Sequence, residues 1–303
     1  MILLQNKQVK RLGKDPIHYP WTFLIPGLAI YLLFFFYPTI SGFYYALTNW
    51  NSRALQIKFI GFSQFIEVLK NPTILLAFKN TLIYAFTITI VKNIIGLALA
   101  LALNAKIKSR TALRAIFFAP AILNVVAMGL VFKGLMNPTT GFFNTALHTL
   151  GLDFLVNNWI TDPKIAIHCT SLMEIWRATG ISMAIYLAGL QAIPSDYYEA
   201  ATLDGAYGWK KFKNVTLPLL APSVTINVIL CLIYGFRMFE VIQYLTEGGP
   251  GDASQVMQTL AYKYMGQGLF GYSAAINVVL VVFILIVTIP LLIYMRRRDS
   301  QIV

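Results

Sequence analysis

Ala274-Ala275-Ile276-Asn277-Val278-Val279-Leu280-Val281-Val282-Phe283-Ile284-Leu285-Ile286-Val287-Thr288-Ile289-Pro290-Leu291-Leu292-Ile293-Tyr294-Met295 carries no charge, and Arg296-Arg297-Arg298 follows at once. A helix needs about 20 such residues to cross the hydrocarbon of a bilayer. A cluster of cations at its end stops it at the headgroups. Five more stretches have the same character: Trp21–Leu47, Leu75–Leu103, Leu113–Leu135, Ile165–Ile193 and Leu217–Phe239. Only helices that satisfy their own backbone survive in lipid at this spacing. The expected fold is therefore all-α, a polytopic membrane protein of about six transmembrane helices.

The composition agrees. Of 303 residues, 57% are hydrophobic and 12% charged, where a soluble domain carries about 25% charge. The net charge of +12 does not form a nucleic-acid patch, because the basic residues sit in short clusters between apolar runs. Lys7, Lys10, Arg11 and Lys14 precede the first span, and Lys106, Lys108, Arg110 and Arg114 lie between the second and third. Lys210, Lys211 and Lys213 fall between the fourth and fifth, and the three terminal arginines close the chain. These make 14 of the 24 cations, all on one side. That side is the cytoplasm by the positive-inside rule, so both termini are expected there.

No small-residue cleavage site follows the first apolar run, which contains Phe34-Phe35-Phe36-Tyr37, so a retained first helix is expected. The division is a tail over 1–20, a membrane domain over 21–295 and a second tail over 296–303. Cys169 and Cys231, with His18, His148 and His168, have no disulfide or metal-site spacing.

The basic link after the fourth span is more specific than a connector requires. From Pro194, Ser195-Asp196-Tyr197-Tyr198-Glu199-Ala200-Ala201-Thr202-Leu203-Asp204 reads as a short helix. Ser195 is placed to cap it and Asp196 to meet its positive end. Gly205 is placed to end it in the left-handed conformation. A second short helix starts near Trp209, with Pro218 expected in the first turn of the fifth span. Ala200 and Ala201 leave one surface small enough for another protein's backbone.

Glu199-Ala200-Ala201, three residues, Gly205, nine residues, Val215, one residue and Leu217-Pro218 resemble the signature loop of ATP-binding-cassette importer permeases. The likeness covers nearly the whole chain, with the importer core over about 75–295 and the loop over 194–218. Phe23-Leu24-Ile25-Pro26, Phe117-Phe118-Ala119-Pro120 and Leu245-Thr246-Glu247-Gly248-Gly249-Pro250 look like the carbohydrate branch. The resemblance implies the type I importer permease fold with a cytoplasmic coupling helix. Glu199, Ala200, Ala201, Asp204, Gly205, Leu217 and Pro218 would then contact an ATPase.

It further implies a second permease subunit, two cytoplasmic ATP-binding-cassette subunits, an extracytoplasmic substrate-binding protein and a carbohydrate substrate, in a bacterial or archaeal inner membrane. The chain has no phosphate-binding Gly-x-x-x-x-Gly-Lys-Ser/Thr loop. ATP and Mg would thus belong to the partner ATPase, with no cofactor on this chain. No catalytic constellation stands out, so no enzyme activity is expected.

Polar groups inside a span are costly against lipid and should face inward. Ser223, Asn227, Tyr234 and Arg237 share one face of the fifth span, and Thr170, Glu174 and Arg177 one face of the fourth. With Trp176, Tyr234 and Phe239 as aromatic surfaces, they are the candidate substrate pathway. A plainer reading pairs Glu174 with Arg177 and lets Lys92 reach a polar neighbour. Lys92, Arg177 and Arg237 also leave room for an anionic substrate, such as a glycerol phosphate or a uronate oligosaccharide. A secondary transporter would need inverted repeats and broken helices at an ion site, and neither is visible in the sequence.

Overall fold

The structure is a computed structural model, and it describes residues 21–300 apart from Ala54 and Lys106. The predicted tail over 1–20 with its four cations, Lys106 and residues 301–303 lie outside the described residues. Two compact units divide near Tyr44. The first holds helix α1, Leu24–Tyr45, which is apolar around its circumference. Its turn Leu32–Phe36 widens to i→i+5 hydrogen bonds, with Tyr37 N–H donating to the Leu32 carbonyl. Pro38 explains the widening: its ring presses on the carbonyl four residues back and it has no N–H to offer.

The second unit begins with α2, Ser63–Lys70, and α3, Pro72–Asn104. Asn71 caps α3 by accepting from Thr73 N–H, and Pro72 occupies the first turn, where no donor is needed. Next come α4, Arg110–Ile122; α5, Val125–Leu135; α6, Phe142–Thr149; and α7, Ala166–Ala192. The cytoplasm-assigned link forms α8, Ser195–Leu203, and α9, Gly208–Leu219. The chain ends with α10, Ala221–Phe236; α11, Glu240–Leu245; α12, Met257–Gly266; and α13, Phe270–Asp299. The described residues form no strand, only an isolated bridge between Thr48 and Phe59.

Three helices are long and apolar enough to cross a membrane: Leu24–Tyr45, Pro72–Asn104 and Phe270–Asp299. Two bent pairs bring the number to five. The sixth expected span is α7, whose 27 residues reach about 40 Å. It is less apolar than the others for a physical reason: α3, α4, α10 and α11 pack around it, so protein rather than lipid meets much of its surface.

The third and fifth spans are not the straight helices the sequence led us to expect. The third breaks by 95° between Ile122 and Val125. Pro120 weakens the end of α4, Leu123 turns extended, and the Asn124 carboxamide caps α5 by accepting from Val126 N–H and Ala127 N–H. The fifth bends by 67° between Leu219 and Ala221. Pro218 therefore sits before the bend, and Pro222 takes the early-turn position of α10 that had been assigned to Pro218. The last helix also runs past the predicted boundary, carrying Arg296–Arg298 to Asp299.

The inner helices cross at small residues. A Cβ added at Gly235 of α10 would lie 2.7 Å from the Ala85 Cα of α3. One at Gly180 of α7 would lie 2.2 Å from the Phe117 carbonyl oxygen of α4. Between membrane helices, such close backbone approach replaces the hydrophobic drive that lipid removes. Gly180→Val should therefore lower the thermal midpoint of the detergent-solubilised protein by an overpacking penalty of about 1–3 kcal/mol. Gly134→Ala, where a Cβ meets nothing within 4 Å, should leave the midpoint unchanged.

Candidate functional site

Lys92 and Glu174 face each other across α3 and α7. Lys92 Nζ donates to Glu174 Oε1 at 3.2 Å, and Arg177 donates to Glu174 Oε2 from Nε at 3.0 Å and Nη2 at 2.8 Å. Glu174 is completely buried and Lys92 nearly so. Arg177 Nη2 also donates to the Tyr234 hydroxyl at 2.7 Å, and Lys92 Nζ lies 5.3 Å from the centre of the Tyr234 ring. Desolvated charges persist only when paired and hydrogen-bonded. The sequence offered the Glu174–Arg177 pair as one reading but no link to Lys92; the tertiary structure supplies it.

Above this cluster opens a cavity of about 580 Å³. Lys92 comes from α3, Arg177 and Ser182 from α7, and Asn227 and Tyr234 from α10, with Arg237 and Glu240 at the turn into α11. Asn227 is buried and donates from Nδ2 to Asn93 Oδ1 at 3.0 Å; Asn93 Oδ1 also accepts from the Tyr186 hydroxyl. The wall thus carries cationic donors, the Glu240 carboxylate, an amide, two hydroxyls and one aromatic face. That set suits a polar solute bearing many oxygens.

The pathway residues predicted from sequence separate here. Asn227, Tyr234, Arg237 and Arg177 line the cavity, and Glu174 lies beneath it as the counter-ion. Ser223 does not line it: a Cβ at Gly189 would lie 2.1 Å from Ser223 Oγ, so this serine marks a helix crossing. Trp176 points to another face, half exposed, 5.4 Å from the Phe132 ring. Phe239 meets Tyr262 edge to face at 5.0 Å and lines a separate small cavity. Thr170 spends its hydroxyl on the Ile167 carbonyl. One helix face runs out here because α10 ends at Phe236 and the chain turns. Ser182, Glu240 and the lining role of Lys92 were missed. The available signal was Lys92-Asn93, a polar pair inside an otherwise apolar span.

The second candidate region is the elbow of α8 and α9. Ser195 is the first helical residue, not the cap, because Pro194 holds the cap position; no side chain caps this end. The other end closes as foreseen. Gly205 has φ +74°, its N–H donates to the Thr202 carbonyl, and Ala206 N–H donates to the Ala201 carbonyl at 2.8 Å. Lys211 ties the two arms, donating to Thr202 Oγ1 at 2.8 Å and covering the Tyr198 ring. Glu199, Ala200, Asp204 and Gly205 are exposed, but Ala201 is buried against the rest of the elbow. Leu203, Tyr207 and Trp209 stand out beside them, an apolar surface of the kind that partners cover. Ahead of Pro218 the backbone widens as it does ahead of Pro38, with Leu217 N–H donating to the Phe212 carbonyl.

Residues 92–299 match the family described as binding-protein-dependent transport system inner membrane component. The chain belongs to that family. It is a multi-pass component of an ATP-binding-cassette transport system, and its part is passage rather than chemistry. The trehalose/maltose transport system permease protein MalF of Thermococcus litoralis is 33% identical over 297 residues, covering 98% of this chain and all of that one. The arabinooligosaccharides transport system permease protein AraP of Bacillus subtilis is 36% identical, covering 89% and 86%. The multiple sugar-binding transport system permease protein MsmF of Streptococcus mutans is 32% identical, covering 90% and 93%. A crystal structure of a bacterial transporter for the acidic polysaccharide alginate superposes with TM-score 0.79 over 93% of this chain and 94% of that one. At 23% identity it shows the shared fold.

Removing the central carboxylate leaves two buried cations facing each other. Glu174→Gln should cost about 3–5 kcal/mol of stability, read as lower yield and earlier thermal unfolding. Arg237→Gln, at an exposed position, should leave both readouts near wild type.

Proposed function

We propose that this permease forms half of the passage for a sugar or oligosaccharide, with both termini in the cytoplasm. A second, related permease would supply the other half and an extracytoplasmic binding protein would deliver the substrate. The observation that carries the substrate class is the cavity wall. Asn227, Ser182 and Tyr234 offer the amide, hydroxyl and ring-face contacts that sugar hydroxyls and pyranose faces use. The sugar-transport names of the three relatives support the same reading. Against the three cations Lys92, Arg177 and Arg237 stand Glu174 and Glu240, which leaves the site a small positive excess; the relatives' sugar-transport names carry the choice of a neutral substrate.

The elbow is the proposed seat of a separate ATPase subunit, which alone handles ATP and Mg. Motion there reaches the cavity by two continuous routes: α8 follows α7 after Pro194, and α9 runs into α10. Coupling follows only if the ATPase grips the elbow differently in its two nucleotide states.

ATP-dependent uptake of maltose, trehalose and arabino-oligosaccharides into cells expressing the system tests the reading. Asn227→Ala combined with Tyr234→Ala should reduce uptake at unchanged membrane levels of the protein; unaltered uptake removes the cavity from the path. Gly205→Asp should abolish uptake while the protein stays in the membrane, because φ +74° strains a branched residue and a charge enters the docking surface. A cysteine at exposed Ala200 should crosslink to the ATPase where one at buried Ala201 does not. Failure of the Ala200 crosslink, or uptake that survives ATP depletion, contradicts the coupling.

A further inference from the structure

A second cavity, of about 320 Å³, lies away from the first, between the loop that follows α1 and the segment joining α12 to α13. It is walled by Trp50, Gln64, Glu67, Asn71, Tyr264 and Tyr272, among others. The proposed topology puts both segments on the outer face, where substrate arrives. We infer that this pocket is a subsite for one neutral glycosyl unit, at the entrance to the passage; the inference rests on the importer reading above.

Three observations carry it. First, the Gln64 carboxamide is held in place by its Nε2, which donates to the Thr48 carbonyl at 2.6 Å. Among the described residues its Oε1 is buried with no partner. Buried acceptors are as a rule paired, so a donor from outside the described residues is called for. Second, Asn71 Nδ2 donates to the Tyr272 hydroxyl at 3.2 Å, which leaves the hydroxyl proton free to donate elsewhere. The exposed Glu67 carboxylate brings an acceptor pair to the same wall. Donors and acceptors therefore alternate around the pocket, which is what hydroxyls, each both donor and acceptor, require.

Third, aromatic edges and faces accompany the polar groups. Tyr264 and Tyr272 meet edge to face at 4.9 Å, and Trp50 packs on Phe270 at 4.8 Å. Gly271, which follows Phe270, lets α13 pack closely on the Thr48–Gln64 side of the wall. A Cβ at Gly271 would lie 2.5 Å from the Thr48 carbonyl oxygen and 3.0 Å from Gln64 Nε2. The charge on the wall selects within the class. Among the described residues Glu67 is the one charged side chain in the lining, so a uronate would meet repulsion and a neutral sugar would not.

The test uses the full chain in lipid nanodiscs with 5-fluorotryptophan incorporated, the resonance of position 50 being assigned with Trp50→Phe. Maltotriose and trehalose are the neutral probes and glucuronic acid the charged one. The neutral sugars should shift the position-50 resonance saturably in the millimolar range, and glucuronic acid should bind more weakly. Glu67→Gln, an isosteric change at an exposed position, should raise the half-saturation concentration by roughly threefold or more, the loss of one good hydrogen bond. Gln64→Met should do the same, with the other tryptophan resonances unchanged as the check on folding. No shift with any neutral sugar, equal binding of glucuronic acid, or indifference to both substitutions overturns the subsite. ATP-dependent uptake measured in parallel separates the readings: its absence counts against the importer function, while normal uptake with a silent position 50 counts against this pocket alone.

Discussion

Glu174 is completely buried, with Lys92 on one of its oxygens and Arg177 on the other. In a bilayer, that arrangement fixes far more than a pair of side chains. Each cation is tolerable only while Glu174 stays within about 3 Å of it, and Glu174 only while they hold its two oxygens. The register of α3 against α7 is therefore set from within, at mid-length, where lipid could not set it. Arg177 then reaches Tyr234 and carries the constraint onto α10. The cavity is lined by these same three helices.

Close backbone contacts complete what the charges begin. Gly235 on Ala85 and Gly180 against Phe117 let helices approach to distances that any side chain would forbid. Van der Waals contact is short-ranged and gains nothing from lipid exclusion, so it depends on these small residues being in register. The ion cluster and the glycines thus constrain the same set of crossings, one by attraction and the other by absence of bulk.

Breaks in the helices are as much a part of the architecture as the helices. Pro120 and Asn124 turn the third span by 95°, and the link between Leu219 and Ala221 turns the fifth by 67°. At the second break a basic, exposed elbow passes into a helix that lines the cavity. Lys211 stiffens that elbow by bridging Thr202 and Tyr198. A stiff arm continuous with α7 and α10 can move as a lever; a flexible one would dissipate the motion before it reached Tyr234.

Much was legible in the residues themselves. Apolar length located the helices Leu24–Tyr45, Pro72–Asn104 and Phe270–Asp299, since unpaired backbone is costly in hydrocarbon, but it did not reveal the breaks in the third and fifth stretches. The left-handed turn at Gly205 and the cap at its helix end follow from local sterics, so the spacing alone revealed them. Local rules failed where a neighbour decided the outcome. Ser195 lost the cap position to Pro194, and Ala201 turned into the elbow while Ala200 stayed outside. On α10, a shared helical face grouped Ser223 with Asn227 and Tyr234, but only the packing of α7 showed that Ser223 meets Gly189 and the other two meet space. Lys92 looked isolated because its partner lies 82 residues away. Periodicity along a chain reports which residues share a face; which face meets a charge, a glycine or a void depends on how helices cross, and that is a property of the tertiary structure alone.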